Sequence, residues 1–245
     1  MKTPTPQAKS GEPEPAGPEI IAHRGASHEC MENTLDAFAR ALELNADALE
    51  LDIHASRDSV LVVHHDPVVV RAEGVTSAPI SSLTARELAA IRMPGGHALP
   101  TLDAVFELVK QRAVLYLEVK ASGIEELVAE ALQRHPHSRV AVHSFDHRIP
   151  VAIRTLSPGL SIGLLSASYP LDVRAALLPA AAEAWWQDSA LIDEALVKDV
   201  HQAGARIIAW TVDDPDRARQ LAAWGVDGIC TNLPAEMRQA LSRGA

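Results

Sequence analysis

From residue 19 onward, short apolar runs alternate with longer segments in which apolar residues recur at helical spacing. This alternation of strands and helices indicates a parallel α/β sheet. The apolar runs predict eight strands, at Glu19–His23, Ala48–Ile53, Val114–Val119, Val140–Ser144, Ser161–Leu165, Glu183–Gln187, Arg206–Thr211 and Asp227–Thr231. The helical spacing predicts helices at Thr34–Leu44, Leu102–Gln111, Ile124–Arg134, Ile149–Leu156, Leu191–Ala203 and Pro215–Trp224. Together they predict a single (β/α)8 barrel, the TIM barrel.

One further apolar run, Val60–His64, follows the second strand after the short turn Arg57–Ser59. Such a turn is too short to cross over to a parallel strand, so we expect the run to fold back on the second strand as a hairpin. The stretch Arg71–Pro100 is then a loop excursion before the next helix. We expect the barrel domain to span 19–245, after a disordered N-terminal leader at 1–18 that contains Pro, Lys and Glu.

The composition narrows the class of protein. The chain has 245 residues, of which 47% are apolar and only 4% aromatic, and a barrel of this kind commonly takes about 250 residues. The net charge of −10 argues against a nucleic-acid partner, which requires a basic stripe. No apolar run is long enough to span a membrane, and the N-terminus lacks a secretory signal. We therefore expect a cytoplasmic protein with no stable membrane insertion.

Polar side chains stand at the C-terminal ends of the predicted strands, where barrel enzymes carry their active residues. Glu50 and Asp52 are two residues apart and so point to the same face of the second strand. Two carboxylates facing a barrel interior repel each other unless a cation or basic group lies between them, which favours metal ligands over surface groups. Glu118 adds a third oxygen ligand of the kind that Mg²⁺ and Ca²⁺ prefer. The other candidates are His23, Arg24, His65, Lys120 and Trp210.

Each of these candidates also has a structural interpretation. A histidine at a strand end is often structural rather than catalytic. Lys120 can be a solvated charge, or it can neutralise a phosphate. Cys30 follows the first strand and Cys230 ends the eighth, and these strands are neighbours in a closed barrel, so we expect two unlinked thiols near the same rim.

Residues 23–71 read HRGASHECMENTLDAFARALELNADALELDIHASRDSVLVVHHDPVVVR, and the motifs LEVK, HSFD, AWTVDD and GVDGICTNLP follow further along the chain. An HRG…ENT…AF opening, an E-x-D strand and a downstream H-D, in this order, resemble the glycerophosphodiester phosphodiesterase family. The resemblance covers nearly all of Ile20–Pro234. Each motif alone is weak, but the ordered set agrees with the predicted strand positions.

The resemblance implies an enzyme that hydrolyses glycerophosphodiesters to glycerol 3-phosphate and an alcohol with the help of one divalent cation, Mg²⁺ or Ca²⁺, with Mn²⁺ as an alternative. It assigns acid–base catalysis to His23 and His65. His65 is preferred to His64 because the family pattern places the catalytic histidine directly before an aspartate. The remaining implied roles are metal ligation by Glu50, Asp52 and Glu118, phosphate binding by Arg24 and Lys120, and a wall for the glycerol at Trp210.

Further expectations follow from the same resemblance. Asn33 is expected to order the first loop and Glu32 to lie near the metal. The two histidines are expected to act in turn as base and acid through a cyclic phosphate. Met31, Asn45 and Asn232 depart from the family pattern, where proline, glycine and aspartate are usual, and they bear on substrate range rather than on the reaction.

Three alternatives remain open at this point. The nearest is a lysophospholipase D or a related lipid phosphodiesterase on the same scaffold. It would need an apolar approach for an acyl chain, and the excursion and the loop 167–171 are not strongly apolar. A metal-dependent lyase or isomerase and a non-catalytic binding module are the others. The leaving alcohol and the oligomeric state are not determined by the sequence.

Overall fold

A computed structural model describes residues 17–70 and 77–242 of the chain. Most of the predicted leader, part of the excursion and the last three residues lie outside the described residues. The described strands are, in chain order, β1 (Glu19–His23), β2 (Ala48–Ala55), β3 (Leu61–Val63), β4 (Val68–Val70), β5 (Ser77–Pro79), β6 (Val114–Val119), β7 (Val140–Ser144), β8 (Ser161–Ser166), β9 (Ala184–Asp188), β10 (Arg206–Trp210) and β11 (Gly228–Thr231).

Eight of these strands form a closed parallel barrel. Their spatial order is β1, β2, β6, β7, β8, β9, β10 and β11, and β11 pairs with β1 to close the ring. Consecutive barrel strands are neighbours throughout, as short right-handed crossovers require. The predicted (β/α)8 barrel is confirmed, with strand ends that differ from the prediction by two residues at most.

Helices cover the outside of the barrel. Within the described residues they are α1 (Leu35–Glu43), α2 (Ala85–Ala90), α3 (Leu102–Val109), α4 (Glu125–Arg134), α5 (Arg148–Leu156), α6 (Val173–Ala180), α7 (Glu194–Gln202), α8 (Pro215–Ala223) and α9 (Pro234–Ser242). Side-chain caps define several starts: Thr34 accepts a hydrogen bond from the Ala37 N–H, and Asp214 precedes Pro215 at the first position of α8. None of the described helices is long and apolar enough to cross a membrane.

Three helices were not predicted, and one begins three residues later than predicted. The helix α2 has only six residues, and α6 contains Pro179, which is unfavourable inside a helix. The helix α9 has nine residues, as many as several of the predicted helices, so its length does not account for the omission. The helix predicted from Leu191 begins at Glu194, because the Asp193 side chain caps it by accepting from the Leu196 N–H. The preceding residues form a single 3₁₀ turn, Ser189–Leu191.

Alternation along the barrel strands decides which side chains enter the barrel. On β2, Leu49 and Leu51 pack outward against the helices, while Ala48 faces the barrel interior. Glu50 and Asp52 share the parity of Ala48 and therefore also face inward. The same alternation on every strand sends the polar residues at the strand ends toward one rim of the barrel.

The predicted hairpin is also present. β3 pairs antiparallel with β2, with Ile53 opposite Val63. The described part of the excursion contains β5, which pairs antiparallel with β4, and the helix α2, which starts with a capping box between Thr84 and Glu87. Its apolar side chains form a small cluster with β3 that fixes the segment carrying His65. The cluster consists of Val62, Val69, Ile80, Leu88, Ile91, Met93 and Leu99.

Candidate active site

A cavity of about 110 Å³ opens at the C-terminal ends of the barrel strands. Seven of the eight predicted site residues line it: His23, Arg24, Glu50, His65, Glu118, Lys120 and Trp210. The eighth, Asp52, is fully buried and lies within ion-pairing distance of Arg24 and Lys120. A larger cavity of about 990 Å³ lies at the opposite end of the barrel and contains none of the eight.

Three carboxylates are buried side by side on two neighbouring strands. Glu50 and Asp52 lie on β2, and Asp52 is opposite Glu118 of β6 in the sheet register. Their exposed fractions are 2%, 0% and 9%. Carboxylates at this depth are costly unless cations compensate them, so the surroundings of the three groups determine what the site can do.

Two basic side chains reach these carboxylates. Nε of the Arg24 guanidinium lies 3.1 Å from Asp52 Oδ2, and the backbone N–H of Arg24 donates to Glu50 Oε2. The Lys120 ammonium lies 2.7 Å from Glu118 Oε1 and 3.4 Å from Asp52 Oδ1. Both cations also line the cavity, so they can meet an anionic ligand there as well as the carboxylates.

The three carboxyl groups differ in their acidity. Burial, reinforced by the nearby Asp52 and Glu118 charges, raises the pKa of Glu50 well above its usual range. Burial and Asp52 also raise the pKa of Glu118, against the opposing effect of Lys120. Burial disfavours the ionised form of Asp52 too, but Arg24 and Lys120 outweigh it, and the pKa of Asp52 is lowered.

The site has a local deficit of positive charge, which adds to burial in raising the pKa of Glu50. Three buried carboxylates face two basic side chains, which leaves one negative charge uncompensated, and a bound divalent cation would more than offset it. Ligand atoms of Glu50, Glu118 and His143 all lie within 4.8 Å of one another, close enough to share one ion. Carboxylate oxygens are the donors that hard divalent cations prefer. The residues of this site therefore fit one divalent cation.

Two residues of the loop after β1 have a left-handed backbone conformation and contact the buried carboxylates. Arg24 has φ 57° and Asn33 has φ 56°, and the Asn33 Nδ2 donates to Asp52 Oδ2 at 2.8 Å. This contact agrees with the prediction that Asn33 orders the first loop. Glu32 accepts from Arg24 Nη1 at 3.0 Å, so it is connected to the site through the Arg24 guanidinium.

His23 is held by an amide that is itself held by a carboxylate. Its Nδ1 lies 2.8 Å from Asn232 Oδ1, and Asn232 Nδ2 donates to Asp213 Oδ2. Because Asp213 can only accept, the Asn232 oxygen faces His23 and Nδ1 carries the ring proton, which leaves Nε2 as the basic nitrogen. Burial and the neighbouring Arg24 lower the pKa of His23.

Three further histidines, His54, His64 and His65, lie around β3 and make separate contacts. His65 lines the cavity and its Nδ1 is 2.8 Å from Asp66 Oδ1. His64 instead donates from Nε2 to the Val68 carbonyl, which agrees with the preference for His65. His54 is buried and donates to the His65 carbonyl at 3.1 Å, so it holds the His65 segment to β2.

Aromatic and sulfur side chains complete the wall of the cavity. Trp210 packs edge-on against Phe145, with ring centroids 5.6 Å apart, and both line the cavity. Cys230 is a buried free thiol in the same wall, and Cys30 is a free, partly buried thiol.

Three neighbours of the site were not singled out as functional from the sequence. Asn232 was noted only as a departure from a family pattern, and the role of Asp213 as its partner depends on how two loops meet. His143 sits on β7 opposite Glu118. Its inward parity with Ala141 and its place in the motif HSFD were the available signals, and neither distinguishes a core histidine from a ligand.

The chain is similar in sequence to known proteins. A model of the glycerophosphoryl diester phosphodiesterase family matches residues 23–236. A glycerophosphodiester phosphodiesterase from Caldanaerobacter subterraneus subsp. tengcongensis is 33% identical over 242 residues, which cover 92% of this chain and 98% of that protein. A human lysophospholipase D is 24% identical over 268 residues, covering 90% of this chain and 85% of that protein.

Solved structures of phosphodiesterases are also similar to this chain. A phosphodiesterase from Oleispira antarctica, determined with its product sn-glycerol-3-phosphate, is 25% identical and superposes with a TM-score of 0.85, covering 92% of this chain and 97% of that one. A glycerophosphodiester phosphodiesterase from Thermotoga maritima is also 25% identical, with a TM-score of 0.79 and coverage of 91% and 97%. The chain is therefore an enzyme of the glycerophosphoryl diester phosphodiesterase family.

Proposed function

We propose that this enzyme hydrolyses glycerophosphodiesters to glycerol 3-phosphate and an alcohol, using His23 and His65 as the acid–base pair and one divalent cation. The proposal rests on one observation: both histidines line the same cavity as two buried carboxylates and two basic side chains. The product bound to the Oleispira antarctica phosphodiesterase supports the same substrate class.

Glu50, Asp52 and Glu118 would hold the cation, which we propose to be Mg²⁺ or Ca²⁺, with Mn²⁺ as an alternative. When bound, the cation supplies Lewis-acid polarisation of a phosphoryl oxygen and of the glycerol 2-hydroxyl. Arg24 and Lys120 then become available to offset the charge on the remaining phosphoryl oxygens. Trp210, beside Phe145 at the mouth of the cavity, supplies an apolar face for the glycerol carbons.

His23 is suited to act first as the base. Its Nδ1–H is held by Asn232, and its lowered pKa keeps Nε2 unprotonated at neutral pH. His23 removes the proton of the glycerol 2-hydroxyl, and that oxygen attacks phosphorus to form a cyclic phosphate. His65 donates a proton to the oxygen of the departing alcohol. In the second half His65 removes a proton from water, the water oxygen opens the ring, and His23 returns its proton to the 2-oxygen.

The first experiment measures release of glycerol 3-phosphate from glycerophosphocholine and glycerophosphoethanolamine, with EDTA or with added Mg²⁺, Ca²⁺ or Mn²⁺. We expect cation-dependent release, and a loss of roughly 10²–10⁴-fold in His23→Asn and His65→Asn, since this is the usual contribution of an acid–base group. His147→Gln is the matched control, because His147 donates to the Leu165 carbonyl and is not among the cavity residues. Near-normal turnover in folded His23→Asn or His65→Asn would contradict the assignment.

A second candidate is lysophospholipase D activity at the same site. Phe145, Tyr169 and Leu171 follow the C-terminal ends of β7 and β8 and are 47%, 46% and 107% exposed, so apolar side chains are available on the rim that carries the cavity. The resemblance to the human lysophospholipase D is in keeping with this interpretation. Choline release from lysophosphatidylcholine, compared with glycerophosphocholine under the same conditions, separates the two. A higher kcat/KM for the lysolipid would favour this second candidate.

A further inference from the structure

His143 occupies the same level of the barrel as two proposed metal ligands. In the register of the sheet, Asp52 lies opposite Glu118, and Glu118 lies opposite His143 on β7. The three side chains therefore form a row across neighbouring strands, pointing to the same interior. The imidazole extends the ligand row by one strand beyond the carboxylates.

A packing arrangement fixes the imidazole in this place. The His143 ring stacks on Trp186, with centroids 4.2 Å apart and planes 8° from parallel. The indole can lie there because position 163 is glycine: a Cβ at Gly163 would come within 2.8 Å of two Trp186 ring atoms. A ring held on one face in this way keeps few rotamers, so its nitrogens have fixed directions.

The same ring lacks the partner that buried polar groups ordinarily have. His143 is 2% exposed, and its Nδ1 is buried with no hydrogen-bond partner among residues 17–70 and 77–242. A buried histidine nitrogen normally finds a donor or an acceptor. Yet His143 lines the cavity, and one of its nitrogens lies within 4.8 Å of carboxylate oxygens of both Glu50 and Glu118.

We propose that His143 is a nitrogen ligand of the divalent cation, so that the site is a mixed oxygen–nitrogen site rather than one built from carboxylates alone. The inference rests on the proposed function, because it concerns the same cation. It also bears on the choice of metal. Imidazole suits the later first-row ions, whereas carboxylates suit Mg²⁺, Ca²⁺ and Mn²⁺, so a mixed site is expected to bind Co²⁺ more tightly than a site of carboxylates alone would, while still accepting the ions proposed above.

Pulsed electron paramagnetic resonance of the Mn²⁺-loaded full-length protein tests the contact directly. We expect ¹⁴N modulation of the Mn²⁺ signal in the unsubstituted protein, and its replacement by ¹⁵N coupling when the protein is grown with ¹⁵N-labelled histidine. His143→Gln should lose the coupling. His23→Asn and His65→Asn should retain it, as should the control His147→Gln. The labelled unsubstituted protein makes the test independent of whether His143→Gln folds.

Calorimetric titration with Co²⁺ and Ca²⁺ gives a second readout that does not depend on turnover. His143→Gln keeps an oxygen donor but loses the nitrogen, so Co²⁺ affinity should fall by at least about 10-fold, the lower end of what loss of a supporting residue costs a metal site. Ca²⁺ affinity should fall by clearly less. Equal losses for the two ions would overturn the inference.

The outcomes separate this inference from the function on which it rests. Bound Mn²⁺ without histidine nitrogen coupling, or with coupling that persists in His143→Gln, overturns the role of His143 and leaves the carboxylate site intact. Failure of the protein to bind any divalent cation overturns both the role of His143 and the proposed metal dependence.

Discussion

Asn232 fixes the tautomer of His23 with a neutral oxygen, itself anchored on Asp213. The hydrogen bond raises the pKa of His23, against the larger lowering effects of burial and Arg24. Removing Asn232 therefore has two separable consequences: the ring loses its orientation, and its pKa falls further. A residue that is not among those lining the cavity thus controls both the availability and the direction of the proposed base.

For Asn232→Ala we expect kcat to fall by less than the roughly 10²–10⁴-fold that loss of an acid–base group costs. The low-pH limb of kcat/KM should move to lower pH. The limb moves in this direction because it reports protonation of His23 in the free enzyme, and loss of the hydrogen bond lowers the pKa of His23. Ser27→Ala is the control, since Ser27 also donates to Asn232 Oδ1 but leaves the His23 contact in place. A limb that moved to higher pH would contradict the proposed role of His23.

At the scale of elements, the loop between β1 and α1 is packed too closely for a side chain. Gly25 has φ 83°, and a Cβ there would lie 2.6 Å from the backbone carbon of Ala37 in the first turns of α1. The next residue, Ala26, donates from its N–H to the Ala37 carbonyl at 2.9 Å. The loop that positions Arg24 and Asn33 is therefore held against α1 by backbone contacts.

Gly25→Ala should accordingly destabilise the fold more than Gly123→Ala. Gly123 has φ 84°, and a Cβ at this position would meet no atom within 4 Å among the described residues, so its substitution costs only the left-handed conformation, about 1–2 kcal/mol. Gly25→Ala adds an overpacking cost of about 1–3 kcal/mol. Urea unfolding of both variants measures the difference. Equal free energies of unfolding would show that the loop can move away from α1.

At the scale of the whole molecule, the site joins the loop after β1 to β2 and β6, elements that meet only when the three strands have paired in the folded chain. A cation bound there stabilises the folded chain alone. At a concentration 100 times Kd this amounts to about 2.7 kcal/mol, which raises Tm by roughly 5–11 °C for a domain of this size. Thermal unfolding with EDTA and with added cation measures the shift, and an unchanged Tm at saturating cation would contradict the proposed site.

Glu50→Gln provides a further test of how the buried charges of the site affect the stability of the fold. A carboxyl group whose pKa is raised on folding reduces stability at pH values above its ordinary pKa, because the unfolded chain ionises it more easily. Without cation at neutral pH, Glu50→Gln should therefore unfold at a higher temperature than the unsubstituted protein. With cation its gain in Tm should be smaller, because a ligand is lost. A lower Tm of the cation-free variant would show that the Glu50 carboxylate is not destabilising.

The barrel, its hairpin and the rim that carries the site follow from local sequence. Two-residue periodicity places Glu50 and Asp52 on one face of β2, and a turn as short as Arg57–Ser59 admits only an antiparallel return. Because parallel strands end at one rim, residues at strand ends meet without any knowledge of their partners. Ion ligation and catalysis by these residues remain proposals, but their proximity was predictable.

Tertiary structure alone decided the contacts between side chains from distant parts of the chain. Asn232, held by Asp213, reaches His23 across 209 residues of sequence, and His143 gains its position from the register with Glu118 and the space left by Gly163. Periodicity fixes the face on which a residue lies. It does not fix the level at which two strands pair or the ring that fills a gap, because these depend on how the whole barrel closes and packs.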